Sequence, residues 1–285
     1  MAAVEGTRDI VTGACGVDGR GFEQVELVTE GGVATVRLNR PGRHNALGAR
    51  MVEELGEALD EVEGAGEARV MILTGAGEKA FCSGVDLKER AAMGADERWA
   101  HNRTLNAFTE RLARLQIPTI AALNGLAFGG GLEITLACDF RIAVEGATFS
   151  LPEVGIGIVP GAGGTQRLPR LIGPTRAKEM ILTGRRIDSG TALEMGLVSK
   201  VARSGELMEE ARTLAEEISA NSPFALAHAK AAVDMASETA LEQGLRYETA
   251  AIRATLASED YEIGLSAFAN RQKPEFPPLR ARRVT

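Results

Sequence analysis

Thr119-Ile120-Ala121-Ala122-Leu123-Asn124-Gly125, continued after three residues by Gly129-Gly130-Gly131-Leu132-Glu133, is the stretch on which the fold turns. Pro118 starts an apolar strand over 119–123, and Asn124-Gly125 turns the chain. A short buried helix is expected from Gly130 to Ala137, because the run Leu132–Cys138 holds a single charge. Asp139–Ala143 and Ala147–Leu151 then read as the next pair of strands. Toward the N-terminus, Gln24–Glu30 and Val33–Asn39 are extended segments separated by Gly31-Gly32, a dipeptide suited to a tight hairpin. Leu47, Met51, Leu55, Leu59 and Val62 fall at helical spacing; a strand over Arg69–Thr74 and a helix over Asp96–Leu115 follow. Strand, strand, helix therefore recurs, which predicts an α/β core with right-handed crossovers.

Beyond about residue 204 the strand signal fades. Ser204 and Ser222-Pro223 read as helix starts, and Ala231–Ala236 and Leu241–Leu256 continue as helix. The expected organisation is a loose tail over 1–21, a core over 22–203 and a helical region over 204–285, the last ending in a Pro-rich tail at Lys273–Pro278.

Composition narrows the function classes. The 285 residues are 45% hydrophobic and 25% charged, which excludes a disordered or fibrous chain. Only 4% are aromatic and the net charge is −7, so neither base stacking nor attraction to a phosphate backbone is favoured, and no nucleic-acid partner is expected. Cys15, Cys82 and Cys138 are far apart, without a Cys-x-x-Cys pair, and His44, His101 and His228 fit no metal spacing. No disulfide framework and no metal are expected. The first twenty residues carry Glu5, Asp9 and Asp18 and lack a signal-peptide core. The longest uncharged stretch, Gln116–Leu132, is too short and too interrupted to span a bilayer. The reading is a soluble protein of a reducing, cytoplasmic compartment, with no membrane partner.

Two glycine turns, Cys82-Ser83-Gly84-Val85-Asp86 and Gly129-Gly130-Gly131, suit close backbone approach, so that main-chain N–H groups of both can meet at one oxygen. Glu133 stands in apolar surroundings; a helix-N-terminal acid is the plain alternative, but isolated buried acids rarely lack a task. Glu153, twenty residues later behind Pro152, is by itself as readily a loop acid as a proton carrier. Its weight comes from the apolar, glycine-rich loop Val154–Gly164 that follows and is of a kind that walls a pocket. Gly75-Ala76-Gly77-Glu78-Lys79-Ala80 matches a dinucleotide fingerprint after a strand, yet Ser83-Gly84 breaks the helix that should follow. Gly155-Ile156-Gly157 lacks the third glycine, and Gly161-Ala162-Gly163-Gly164-Thr165 lacks the lysine of a phosphate loop. Ser83 has no Gly-x-Ser-x-Gly context for a nucleophile, Cys82 reads as a small buried residue, and Trp99 reads as a packing residue.

Taken together, Leu38-Asn39-Arg40-Pro41, Asn45-Ala46-Leu47, Ala80–Lys88, Gly129–Glu133, Leu151-Pro152-Glu153 and Pro160–Leu168 resemble the crotonase, or enoyl-CoA hydratase/isomerase, superfamily over about Phe22–Phe276. The runs Val85–Arg90 and Gly129–Ala143 look most like its methylglutaconyl-CoA hydratase branch. Some proteins of that branch also bind RNA through a basic helix, but the 47–62 helix here is acidic. The resemblance implies a spiral of ββα units with a C-terminal helical region that forms trimers, commonly paired into hexamers. It further implies an oxyanion hole from the N–H groups of Val85 and Gly130, and an acyl-CoA site along Val85, Asp86, Leu87 and Lys88 with Gly130. No separate cofactor is implied, coenzyme A arriving as part of the substrate. Glu133 would hold and deprotonate a water, and Glu153 would deliver a proton to Cα; members that only isomerise or decarboxylate often lack one of these acids. The expected activity is hydration of a short or medium 2-enoyl-CoA. A Δ3,Δ2-enoyl-CoA isomerase is the alternative within the fold, and a non-catalytic CoA-binding protein the alternative outside catalysis.

Overall fold

The computed structural model describes residues 21–279, so all but the last residue of the expected tail over 1–21 lies outside the described residues. Strands β1 (Val25–Glu30) and β2 (Val33–Leu38) form the expected hairpin. Gly31 and Gly32 turn it with φ of +57° and +81°, angles that residues with a side chain rarely adopt in succession. Helix α1 (Ala49–Ala65) buries Met51, Leu55, Leu59 and Val62, the face its spacing predicts.

One motif then repeats. Strands β3 (Val70–Gly75) and β4 (Ala80–Cys82) lead to helices α2 (Leu87–Ala92) and α3 (Ala95–Ala113). Strands β5 (Thr119–Leu123) and β6 (Leu126–Phe128) lead to α4 (Gly130–Leu136). Strands β7 (Phe140–Val144) and β8 (Thr148–Ser150) lead, through a 3-10 turn at Glu153–Ile156, to α5 (Gly164–Ile172) and α6 (Pro174–Thr183). After β9 (Ile187–Asp188), α7 (Ser189–Met195) and β10 (Lys200–Ala202), the chain finishes with α8 (Leu207–Ser219), α9 (Pro223–Ala236), α10 (Leu241–Leu256) and α11 (Glu259–Asn270).

The first strand of each unit enters one sheet, ordered β1-β2-β3-β5-β7-β10 and parallel from β2 onward. The second enters another, β4-β6-β8-β9, parallel except at its β9 edge. Each unit thus adds a strand to both sheets and returns by helix, so the chain winds as a spiral.

Strand alternation divides the core. Val70, Ile72, Ile120 and Ala122 face one way, against Ala211 and Ala215 of α8; Met71, Leu73, Ala121 and Leu123 face the other, into the larger cluster with α1 and α3. Both faces are covered, which is why these strands read as continuous apolar runs. The helical part expected from residue 204 therefore begins with a helix packed on the sheet.

Several details depart from the sequence reading. Helix α8 starts at Leu207 without a side-chain cap, so Ser204 is not its cap, whereas Ser222 does cap α9 by accepting the Ala225 N–H and Pro223 opens that helix. Trp99 is 63% exposed rather than packed. Gly75-Ala76-Gly77 leads into β4, not a helix, which removes the dinucleotide reading. Strands β4, β6, β9 and β10, and helices α5 and α6, were not anticipated.

Candidate active site

The two glycine turns meet at the second sheet. Leu47 N–H donates to the Gly84 carbonyl (2.8 Å) and Asp86 N–H to the Leu47 carbonyl (3.1 Å), pinning residues 84–86 beside the start of α1. Gly84, at φ +93°, lies so close to the neighbouring turn that a Cβ there would stand 2.8 Å from the Phe128 carbonyl oxygen and 3.5 Å from the Gly130 nitrogen. At Gly131 a Cβ would run into the Cys82 carbonyl at 2.4 Å. Only residues without side chains allow this approach, and it brings Val85 and Gly130 together. A Cβ built on Gly130 would be 3.6 Å from Val85 Cγ2. Among the described residues, neither the Val85 N–H nor the Gly130 N–H donates to a protein acceptor.

Buried polar groups hold these turns from behind. Asn45 is fully buried, accepts the Arg40 N–H (2.9 Å) and donates to the Ala76 and Ala80 carbonyls (3.0 and 2.9 Å), clamping the end of β2 to the β3–β4 connection. Arg141 reaches the carbonyls of Cys138 (2.6 Å), Thr135 (3.2 Å) and Leu197 (2.8 Å), which satisfies carbonyls at the C-terminal end of α4. Asp86 caps α2 by accepting the Lys88 and Glu89 N–H groups (3.1 and 3.2 Å), and its other oxygen pairs with Arg40 at 3.3 Å. Burial works against its charge, but these bonds and Arg40 hold its carboxyl below the ordinary range. Leu87 and Lys88 are exposed at the start of α2.

Glu133 sits one turn into α4, 2% exposed. Its Oε1 accepts the Ala162 N–H (2.7 Å) and the Gly164 N–H (2.8 Å), an arrangement made possible by Gly163 at φ +104°. Residues 161–165, which lack a phosphate loop's lysine, thus cradle a carboxylate of the same chain at the N-terminus of α5. Burial pushes the Glu133 pKa up, and the N–H groups of Gly164, Ala162 and Gly161, with the charge of Arg167, pull it partly back.

Glu153 stands at the opening of the 3-10 turn, 9% exposed. Its Oε1 lies where a Cβ on Gly129 would be 2.8 Å away, so Glu153 faces the same turn that leads to Gly130. Its Oε2 is buried and meets no partner among the described residues. Burial pushes its pKa up to about 7; its own N–H opposes this and the charge of Glu133 adds to it.

Two carboxyls and two free N–H groups therefore converge, and the four residues proposed from the sequence lie together. The roles of Ala162 and Gly164 were missed because they act through the main chain. The capping role of Asp86 had a signal, the Asp86-Leu87-Lys88-Glu89 pattern of a helix start. Cys82 is fully buried and its thiol is pushed up to about 12 by burial, which keeps it protonated and inert, as read from the sequence.

Residues 28–278 match the family model described as enoyl-CoA hydratase/isomerase. The chain belongs to this family. YngF of Bacillus subtilis, which carries an enoyl-CoA hydratase/isomerase name, is 47% identical over 85% of this chain and 93% of its own length. A short-chain-enoyl-CoA hydratase of Clostridium acetobutylicum is 41% identical over 89% of this chain and 97% of its own. The crystal structure of an enoyl-CoA hydratase from Bacillus anthracis superposes with a TM-score of 0.87 at 43% identity, covering 89% of this chain and 99% of that one. The ββα spiral described above is thus the fold of the enoyl-CoA hydratase/isomerase family.

Proposed function

We propose that the protein hydrates a short or medium 2-enoyl-CoA to the 3-hydroxyacyl-CoA. The observation that carries this reading is the pair of buried carboxyls with unlike surroundings. Glu133 is anchored at one oxygen by two N–H donors, which favour its charged form and leave the other oxygen for a water. Glu153, whose pKa burial pushes up to about 7 and whose Oε2 has no partner among the described residues, is suited to give up a proton.

The thioester oxygen sits between the N–H groups of Val85 and Gly130, which stabilise it as it gains enolate charge; one such donor is worth ~3 kcal/mol of barrier. Glu133 takes a proton from the water as its oxygen attacks Cβ. The electrons move through Cα to the thioester oxygen, and Glu153 protonates Cα. The coenzyme A arm lies along Leu87 and Lys88, with Asp86 holding that helix start in place. The exposed apolar residues Leu241, Leu245, Ile252, Leu256, Leu265 and Phe268 of α10 and α11 favour assembly with further copies of this chain, as a trimer or hexamer that light scattering would size.

The test supplies the purified protein with crotonyl-CoA and, separately, with a matched 3-enoyl-CoA, and identifies the products by mass and chromatography. Formation of 3-hydroxybutyryl-CoA supports hydration. Conversion of the 3-enoyl thioester with crotonyl-CoA untouched would replace that reading with isomerisation.

A further inference from the structure

Arg167 closes the first turn of α5, where the helix dipole favours an acid and opposes a positive charge. Its side chain is half-buried and folds back over the turn that precedes its own helix. The Arg167 N–H donates to the Gly163 carbonyl at 2.8 Å, and Nη1 donates to the Ala162 carbonyl at 3.2 Å. The contact is close enough that a Cβ built on Gly163 would collide with Nη1 and stand 3.0 Å from Cζ. Gly163 therefore serves twice, by its left-handed backbone and by leaving room for the guanidinium.

Ala162 joins this cation to the catalytic carboxyl. Its N–H goes to Glu133 Oε1 at 2.7 Å while its carbonyl takes Arg167, so a single residue bonds to both groups. Burial works most strongly against the charge of Arg167; Glu110 on α3, Glu133 and Glu238 beyond α9 support it, and Arg114 on α3 opposes it. Glu110 and Glu238 are exposed, and among the described residues the side-chain bond of Arg167 goes to Ala162 rather than to either acid. Stability alone explains such an arginine poorly, since it is partly desolvated, set against a helix dipole and left out of the surface ion pairs among the described residues. Seen from Glu133, the two charged groups that matter are Glu153, which repels its anion, and Arg167, which attracts it.

We infer that Arg167 is a positioning residue for the reaction: it braces the 161–164 turn through the Ala162 carbonyl and supplies the positive charge that keeps Glu133 an anion able to take the proton of the attacking water. This rests on the two-glutamate reading above. Two variants separate charge from bracing, since Arg167→Met removes both and Arg167→Lys keeps the charge on an unforked side chain. Infrared difference spectra between pH steps read the protonation of Glu133 without turnover, its band being the one missing from Glu133→Gln. Without the cation the protonated carboxyl is favoured, so the Glu133 midpoint should rise by about one pH unit in Arg167→Met and stay near that of the parent in Arg167→Lys. On crotonyl-CoA, kcat/KM should follow: its fall on the acid side moves up with Glu133 in Arg167→Met, while its fall through about 7, set by Glu153, stays in place. A Glu133 midpoint that Arg167→Met leaves unchanged would overturn the inference, and so would equal rises in both variants, which would confine Arg167 to the shape of the turn. Should Arg167→Met fail to fold, Arg167→Gln, which retains an N–H donor without the charge, takes its place. A midpoint that moves in a protein without crotonyl-CoA turnover would keep Arg167 as the partner of Glu133 and remove the hydration reading; turnover with an unmoved midpoint would do the reverse.

Discussion

Glu133 and Glu153 are the same residue type, both buried and within each other's field, yet the chain around them treats them differently. The turn at 161–164 gives Glu133 two N–H donors on one oxygen, whereas Glu153 Oε2 meets no partner among the described residues. The side chains supply identical chemistry, and in the proposed mechanism it is the main chain that separates their roles. The largest expected effect tests whether both roles are needed. Replacing either acid by Gln keeps size and hydrogen-bonding capacity but removes the titrating group, so Glu133→Gln and Glu153→Gln should each lower kcat on crotonyl-CoA by about 10³-fold with the fold retained. Loss in one variant only, measured with circular dichroism as the check on folding, would break the two-acid account and favour a single proton shuttle.

A smaller effect is expected where the cradle itself is disturbed. A Cβ at Gly164 would stand 2.9 Å from Glu133 Oε1 and 3.1 Å from its Cγ. The carboxyl must move, and positioning errors of this kind cost catalysis more than stability. Gly164→Ala should lower kcat by about 30-fold while the melting temperature shifts little; the reverse pattern would make the 161–164 turn a folding element.

The asymmetry also has a pH signature. In the proposed hydration Glu153 holds its proton until it delivers it to Cα, so kcat/KM on crotonyl-CoA should fall as pH rises through about 7, roughly tenfold per unit beyond it. Stability follows the same sign. Below the ordinary carboxyl value of 4.5 folded and unfolded chains both carry this proton; between 4.5 and about 7 only the folded chain keeps it, so stability declines with rising pH and levels off above that window. Urea titrations of the parent and of Glu153→Gln across this range isolate the contribution, since the variant should lack it. A decline of equal size in both would assign it to other groups.

How far the sequence reached depended on whether a feature lies in side chains or in the main chain. The Gly31-Gly32 hairpin, the face of α1 and the strand at 119–123 were legible because periodicity and turn residues report them directly. Glu133 and Glu153 stood out as acids beside glycine turns. β4 and β6 were not legible: three residues carry no period, and these strands exist only because they pair across the spiral. The Glu133 cradle was hidden for a related reason, since Ala162 and Gly164 contribute N–H groups that any residue has. Trp99 shows the converse error, an apolar residue assigned to packing on type alone that the fold leaves exposed.

The smallest expected effect carries the contrast between main chain and side chain to the thioester oxygen. Val85 is assigned to the reaction through its N–H, and its position is set by hydrogen bonds on either side of it, from Leu47 to Gly84 and from Asp86 to Leu47. Neither depends on the Val85 side chain. Val85→Ala should therefore leave kcat on crotonyl-CoA within about 3-fold, because the oxyanion donor stays in place. What can change is KM, since Cγ2 lies beside Gly130 and shapes the space next to the acyl group. A fall in kcat comparable to that of the glutamate variants, with KM unchanged, would mean that the side chain sets the geometry of the donor, and the division of labour between backbone and carboxyls would have to be redrawn.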